Sequence, residues 1–197
     1  MTTHDAEVKQ QIRERFAKVA QSPESEQVFP VGPESAKTLG YDANEIDHLP
    51  VEVTESFSGV GNPLSLGKIT PGQTVLDLGC GAGLDSILAA RRVGPTGRII
   101  AIDMTTEMLE KAKRNAVFAD VYNIDFHLCE ADELPIDGET VDVVISNGVF
   151  NLCLGKSKVL SELNRVLQPG GNLQMADILL HDNVTTEEVA GKGTWSD

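Results

Sequence analysis

Residues 77 to 83 read Asp77-Leu78-Gly79-Cys80-Gly81-Ala82-Gly83, an acid followed by three glycines at alternate positions. Glycines at this density let a backbone turn sharply and approach a ligand with no Cβ in the way. The dinucleotide fingerprint G-x-G-x-x-G sets a pyrophosphate on the helix N-terminus behind such a loop. Here the third glycine comes one residue early, and Leu84 stands where that fingerprint wants glycine. The spacing suits a nucleoside without a pyrophosphate, although glycines also gather at strand–helix turns for steric reasons alone. Two further acids extend the pattern. Asp103 lies at the end of the strand in RIIAIDM, just before Met104, where a carboxylate can accept both hydroxyls of a ribose and repels a 2′-phosphate. An acid there also favours the dipole of a following helix. Asp132, in CEADELP, is placed to accept the amino group of an adenine. It also falls in Glu130 to Asp142, which holds six acids and no base, the composition of a solvated face.

The elements that must present these residues alternate in type. TVLDLGC (74–80), RIIAIDM (98–104), IDFHLCEAD (124–132), VDVVISN (141–147) and NLQMADILL (172–180) read as five strands. Helices are expected over 84–92, from a Thr105 cap through TEMLEKAKRNA, and on the face shared by Val159, Leu160, Leu163, Val166 and Leu167. Pro169-Gly170-Gly171 stops the last of these. Apolar strands alternating with helices imply an α/β, Rossmann-like, doubly wound and mostly parallel sheet. Ligands of such sheets lie beyond the carboxyl ends of the strands, where the strand order reverses. That points to Gly79–Gly83, Asp103, Asp132 and Asn147.

The first 69 residues read as a helical and loop extension, separate from the domain at 70–197. Val8, Ile12, Phe16 and Val19 recur at helical spacing over 6–20. Residues 21–55 are polar and proline-rich, a stretch of loops and short helical turns. Asn62 before Pro63 predicts an N-cap and a short helix to about Gly67.

Composition narrows the function. The 197 residues are 41% apolar, which suffices for a core. A formal charge of −14 repels phosphate backbones and anionic lipid, so neither nucleic acid nor membrane is an expected partner. One Trp, two Tyr and six Phe give few platforms for stacking bases. Three cysteines with no CxxC pair and four scattered His make neither a disulfide framework nor a zinc site. The polar start MTTHDAEVKQQ and the lack of a long apolar run lead to a cytoplasmic expectation. A nicotinamide oxidoreductase is disfavoured by the glycine spacing and by the lack of Tyr-x-x-x-Lys, since Tyr41 is followed by Glu45 and Tyr122 by Phe126.

Taken together, PGQTVLDLGCGAG, the acid in AIDMT, the pair Ala131-Asp132 and RVLQPGG before the fifth strand resemble a class I S-adenosylmethionine-dependent methyltransferase over about Thr70 to Leu180. The resemblance implies S-adenosylmethionine as cofactor and S-adenosylhomocysteine as product. It implies that Gly79, Cys80, Gly81 and Gly83 approach the methionine part and that Asp77 helps hold its amino group. Asp103 would take the ribose diol, Met104 would pack on the adenine, and Asp132 would bind its exocyclic amine. Asn147 and Gly148 would border the methyl group. Tyr41, Asn62 and Asn147 are the candidates for positioning a small acceptor, Tyr41 being equally readable as a loop anchor.

A narrower resemblance is to the arsenite methyltransferases. Tyr41-Asp42, His48-Leu49-Pro50, Ser58-Gly59-Val60-Gly61-Asn62-Pro63, VGPTG, Asp103-Met104-Thr105 and SNGVFNL carry it. That family binds soft arsenic(III) through thiolates. Its cysteines would stand at Val60, at Gly148 and in a C-terminal region beyond this sequence, and none is present. Cys80, Cys129 and Cys153 stand elsewhere, where small buried hydrophobes are equally expected. Three readings remain: a methyltransferase with a small unidentified acceptor, an arsenite methyltransferase with unorthodox ligands, and a catalytically silent cofactor-binding or interaction module. The family sheet has seven strands, and the seventeen residues after Leu180 read as a short helix and a tail rather than the last two. The fifth strand is then expected to offer an exposed edge to a second copy or to a partner chain.

Overall fold

The computed structural model describes residues 3–179. The expectations for 180–197 lie outside them. Five strands form one parallel sheet: β1 (Thr74–Leu78), β2 (Arg98–Asp103), β3 (Ile124–Leu128), β4 (Val141–Asn147) and β5 (Leu167–Ala176). Their spatial order is β3-β2-β1-β4-β5, so the direction of winding reverses between β1 and β4. A crevice is expected beyond the carboxyl ends at that reversal.

The central strands β1, β2 and β4 bury both faces, because the crossovers lay helices on both sides. On one face Val75, Ile99, Ala101, Val143 and Ile145 pack with Ile87 and Leu88 of α5 (Leu84–Val93) and Leu109 of α6 (Thr106–Phe118). On the other, Leu76, Leu78, Ile100, Ile102 and Val144 meet Val159, Leu163 and Val166 of α7 (Lys156–Val166). This is the doubly wound α/β architecture expected from the alternation of strands and helices.

Several boundaries differ from the sequence expectation for identifiable reasons. β3 stops at Leu128, not 132, because its neighbour β2 ends at Asp103, the partner of Leu128. β5 runs from 167 to 176 instead of 172 to 180. The chain leaves α7 directly into register with Val141 and bulges before resuming at Val143↔Asn172. Pro169, with no N–H to give the ladder, lies inside that bulge. The pairing ends at Asn147↔Ala176, since Gly148 turns away at φ +70°. The expected caps at Asn62 and Thr105 do not form; neither side chain bonds its helix. Asn62 instead donates Nδ2 to the Gly40 carbonyl at 2.9 Å.

The N-terminal segment contains α1 (Thr3–Gln21), α2 (Pro33–Thr38), α3 (Ala43–Asp47) and α4 (Val51–Thr54). The α1 stripe buries Val8, Ile12 and Val19, and Val19 packs near Met108 of α6. A buried cation fastens this segment to the sheet domain. Lys111 of α6 donates Nζ to Ala20 O at 3.1 Å, to Ser56 Oγ at 2.7 Å and to Glu55 Oε1 at 2.6 Å. Ser56 Oγ in turn donates to Val19 O at 3.1 Å. Among the described residues no helix is long and apolar enough to cross a membrane. The outer edge of β5 has no strand beside it among those residues.

Removing the Lys111 ammonium strips three acceptors of their donor. Lys111→Ala is expected to lower stability by about 1–3 kcal/mol in urea unfolding and to make the segment before Glu55 the first site of limited proteolysis. Unchanged stability together with an unchanged cleavage pattern would contradict this role.

Candidate functional site

A cleft of about 940 Å³, counting its part open to solvent, lies at the carboxyl ends of β1, β2, β3 and β4. Gly79, Gly81, Asp103, Met104, Ala131, Asp132, Asn147 and Gly148 all line it. These eight sequence candidates come together. The other five do not line this cleft. Asp77 and Cys80 face a smaller adjoining cavity with Asp85 and Ser58. Gly83 takes φ +92° ahead of α5, and a Cβ there would stand 3.2 Å from Ala112 Cβ. Its place is close packing of α5 on α6. Asn62 bonds Gly40, and Tyr41 is buried.

The glycine bend and the second strand are fixed to each other. Gly79 (φ +72°) lies so near Val149 that a Cβ would fall 2.3 Å from Val149 Cγ2. Gly81 N–H donates to Asp103 Oδ2 at 2.9 Å, and Thr105 N–H donates to Oδ1 at 2.8 Å. Burial pushes the Asp103 carboxyl above its usual pKa, while those two N–H groups pull against the rise. Each carboxylate oxygen keeps lone-pair capacity after one bond. The group is thus aimed and immobile, and it borders the cleft. Asp132 also borders it, 3.5 Å from Lys158 Nζ. Asp103 and Asp132 offer carboxylate acceptors and Met104 and Ala131 apolar surface, a set that can hold a ligand carrying hydroxyl or amine donors on a flat apolar body.

A second polar group lies beneath. Asp77 accepts from Ser86 Oγ at 2.5 Å. Burial and the neighbouring Asp85 charge push its carboxyl up to about 8. Asp85 is likewise raised, chiefly by burial. Tyr41 donates to Asp85 Oδ1 at 2.6 Å. Asn147 Nδ2 reaches Asp85 Oδ2 at 3.1 Å and Gly61 O at 2.9 Å, and its Oδ1 accepts Val60 N–H at 2.8 Å.

Thiols also border the main cleft. Cys129 and Cys153 both line it. Burial pushes each to a pKa of about 11, so both are neutral thiols near pH 7. Val60 and Gly148, separated by 88 positions in the sequence, are neighbours: a Gly148 Cβ would lie 3.3 Å from Val60 Cγ1.

Sequence reasoning missed the contribution of α1. Lys9, Ile12 and Phe16 line the cleft, and Lys9 and Arg13 both pair with Glu130, Arg13 at 2.6 Å. The apolar stripe of α1 was visible, but a stripe does not say whether it meets a core or a cavity. Asp85 was missed because it reads as an ordinary acid in a first helical turn.

A sequence profile described as a methyltransferase domain matches residues 69–196. The chain is 38% identical over 190 residues to an arsenite methyltransferase of Halobacterium salinarum, a match covering 88% of this chain and 48% of that protein. Among solved structures it is similar to an arsenic(III) S-adenosylmethionine methyltransferase from Chlamydomonas reinhardtii, at 35% identity and TM-score 0.65, over 76% of this chain and 54% of that one. It is also similar to an S-adenosylmethionine-dependent methyltransferase from Aquifex aeolicus, at 26% identity and TM-score 0.57, over 81% of both chains. The chain spans about half the length of the arsenite methyltransferase from Halobacterium.

The raised Asp77 carboxyl has a signed consequence. Between its ordinary value of 3.8 and about 8, the native state holds a proton that the unfolded chain has released. Native stability therefore falls as pH rises through that window. Asp77→Asn removes the titration, so its thermal midpoint should gain on the wild type between pH 5 and pH 9. A difference that stays constant over that range would contradict the buried, protonated state.

Proposed function

The chain belongs to the methyltransferase-domain family, and on that premise we propose that it is an S-adenosylmethionine-dependent methyltransferase acting on a small molecule. The observation that carries this reading is the carboxylate of Asp103, held by the glycine bend through Gly81 N–H and bordering the cleft. In this proposal Asp103 accepts the ribose hydroxyls. Met104 and Ala131 flank the adenine, and Asp132 accepts from its amine. Gly79 and Gly81 give the methionine part close access to backbone, and Asp77 stands beneath it.

When bound, the cofactor supplies a methyl group on a positively charged sulfur, already activated for displacement. The protein then has to align the acceptor and exclude water. Ile12 and Phe16 of α1, with Val149 and Leu152, supply apolar walls for that purpose. The first 69 residues act as a lid in this reading. Asn147 and Gly148 border the methyl side, and Asn147 is the favoured positioning residue. The Tyr41 hydroxyl is committed to Asp85, and Asn62 lies away from the cleft, so both act through structure.

A second reading has an observation of its own. The positions where arsenite methyltransferases would carry two thiols, Val60 and Gly148, are in contact and bear none, whereas Cys129 and Cys153 line the same cleft. Arsenic(III) as acceptor would then use those two thiols, each losing its proton on binding. We further assign the outer edge of β5, with Leu173 40% exposed, to contact with a second copy or a partner chain. The cytoplasm is the compartment that suits its free cysteines.

Calorimetry is expected to show binding of S-adenosylmethionine and S-adenosylhomocysteine but not of NAD. Asp103→Ala should weaken both by about 1–3 kcal/mol through loss of charge-assisted bonds. NAD binding without nucleoside–sulfonium binding would overturn the reading. Methyl transfer to arsenite with glutathione, lost in Cys129→Ser and Cys153→Ser, would select arsenic. Transfer only to other small acceptors would remove it.

A further inference from the structure

We propose that Asp85 is a positioning residue for this cleft: through Tyr41 and Asn147 it holds the Ser58–Asn62 loop against the methyl side. The inference rests on reading the cleft as the cofactor site. Asp85 itself does not line the main cleft.

An ionised carboxylate accepts hydrogen bonds and donates none. Asp85 lies in the first turn of α5 and is only 7% exposed. Its Oδ1 takes the Tyr41 hydroxyl at 2.6 Å and its Oδ2 takes Asn147 Nδ2 at 3.1 Å. An asparagine amide has one donor end and one acceptor end, and Asp85 decides which end faces it. With Nδ2 held towards Asp85, Oδ1 must point to the loop. There it accepts Val60 N–H at 2.8 Å and Gly61 N–H at 3.2 Å. The other Nδ2 hydrogen goes to Gly61 O at 2.9 Å, and the Tyr41 oxygen, 3.1 Å from Nδ2, shares the hydrogen that faces Asp85. Two donors and one acceptor of the loop backbone are thus satisfied by a single side chain whose orientation Asp85 sets.

The loop is shaped to receive it. A Cβ on Gly59 would fall 2.3 Å from Asn147 Nδ2, so the close approach requires glycine. Val60 closes on Gly148, and Ser58 and Gly148 border the cleft. Tyr41 is braced edge-on by Phe57, with ring centroids 5.2 Å apart. Asp85→Asn keeps the volume but offers an NH2 group to either the Tyr41 hydroxyl or the Asn147 NH2. It therefore frees Asn147 to flip and releases Val60 and Gly61.

The test follows amide hydrogen exchange at Val60 and Gly61 in the free protein, together with S-adenosylhomocysteine affinity, in the wild type, Asp85→Asn, Tyr41→Phe and Asn147→Ala. Asp85→Asn should speed exchange at both amides at least about tenfold while Val143 to Ile145 keep wild-type protection, which shows that the fold is intact. Affinity should fall by about tenfold in the same variant. Adding Asp85→Asn to Asn147→Ala should change neither readout further, because both act through one chain of bonds. Tyr41→Phe, which leaves the Asp85–Asn147 bond in place, should give a smaller change of the same sign. Unchanged exchange at Val60 and Gly61 would overturn the proposal. So would faster exchange with unchanged affinity, or full additivity of the two substitutions. If the wild type binds no S-adenosylhomocysteine while exchange responds as expected, the cofactor reading fails and the anchoring of the loop stands.

Discussion

The bond from Gly81 N–H to the Asp103 carboxylate is the constraint on which the site depends. It joins the bend after β1 to the end of β2, so the shape of the one and the aim of the other are set together. Without glycine the bend could not form so near Val149. Without a second anchor at Thr105 N–H the carboxylate could swing. Parallel pairing of β1 with β2, up to Leu78↔Ile102, places these two chain ends side by side in the first place. The sheet therefore acts as a ruler. Its core registers the strands, and the registered strand ends bring together residues more than twenty positions apart.

The surroundings extend that logic to the N-terminal segment. Lys111 fastens it from α6, and Asn147 fastens its Ser58–Asn62 loop from β4. The helix α1 completes the cleft with Ile12 and Phe16, held at its rim by Lys9 and Arg13 on Glu130. Burial raises Asp77, Asp85 and Asp103, and the neighbouring Asp85 and Asp103 charges raise Asp77 further. The chain's overall charge of −14 favours a cationic ligand such as the sulfonium nucleoside proposed here.

Much of this was legible from residues alone, and the gaps have physical causes. Apolar runs between helix signals defined the sheet because a strand buried on both faces must be apolar throughout. Strand ends were harder, since β3 and β5 stop where their neighbours stop, and that is a property of pairing. Asp103 could be placed because it ends its strand, whereas Asp132, expected to end β3, lies four residues beyond it. Gly83 could not be separated from Gly79 and Gly81 in sequence, yet it packs against Ala112 while they face the cleft. Asn62 and Thr105 had the composition of caps but not the bonds, because cap geometry depends on the incoming backbone direction. Tyr41 and Asp85, 44 positions apart, meet only through the fold.

The most direct measurement is a crystal structure with S-adenosylhomocysteine. The account predicts the ribose hydroxyls within hydrogen-bond distance of the Asp103 carboxylate, the adenine between Met104 and Ala131 with its amine on Asp132, and the sulfur facing Asn147 and Gly148. Ligand bound outside this cleft, or an Asp103 that makes no bond to the ribose, would contradict it.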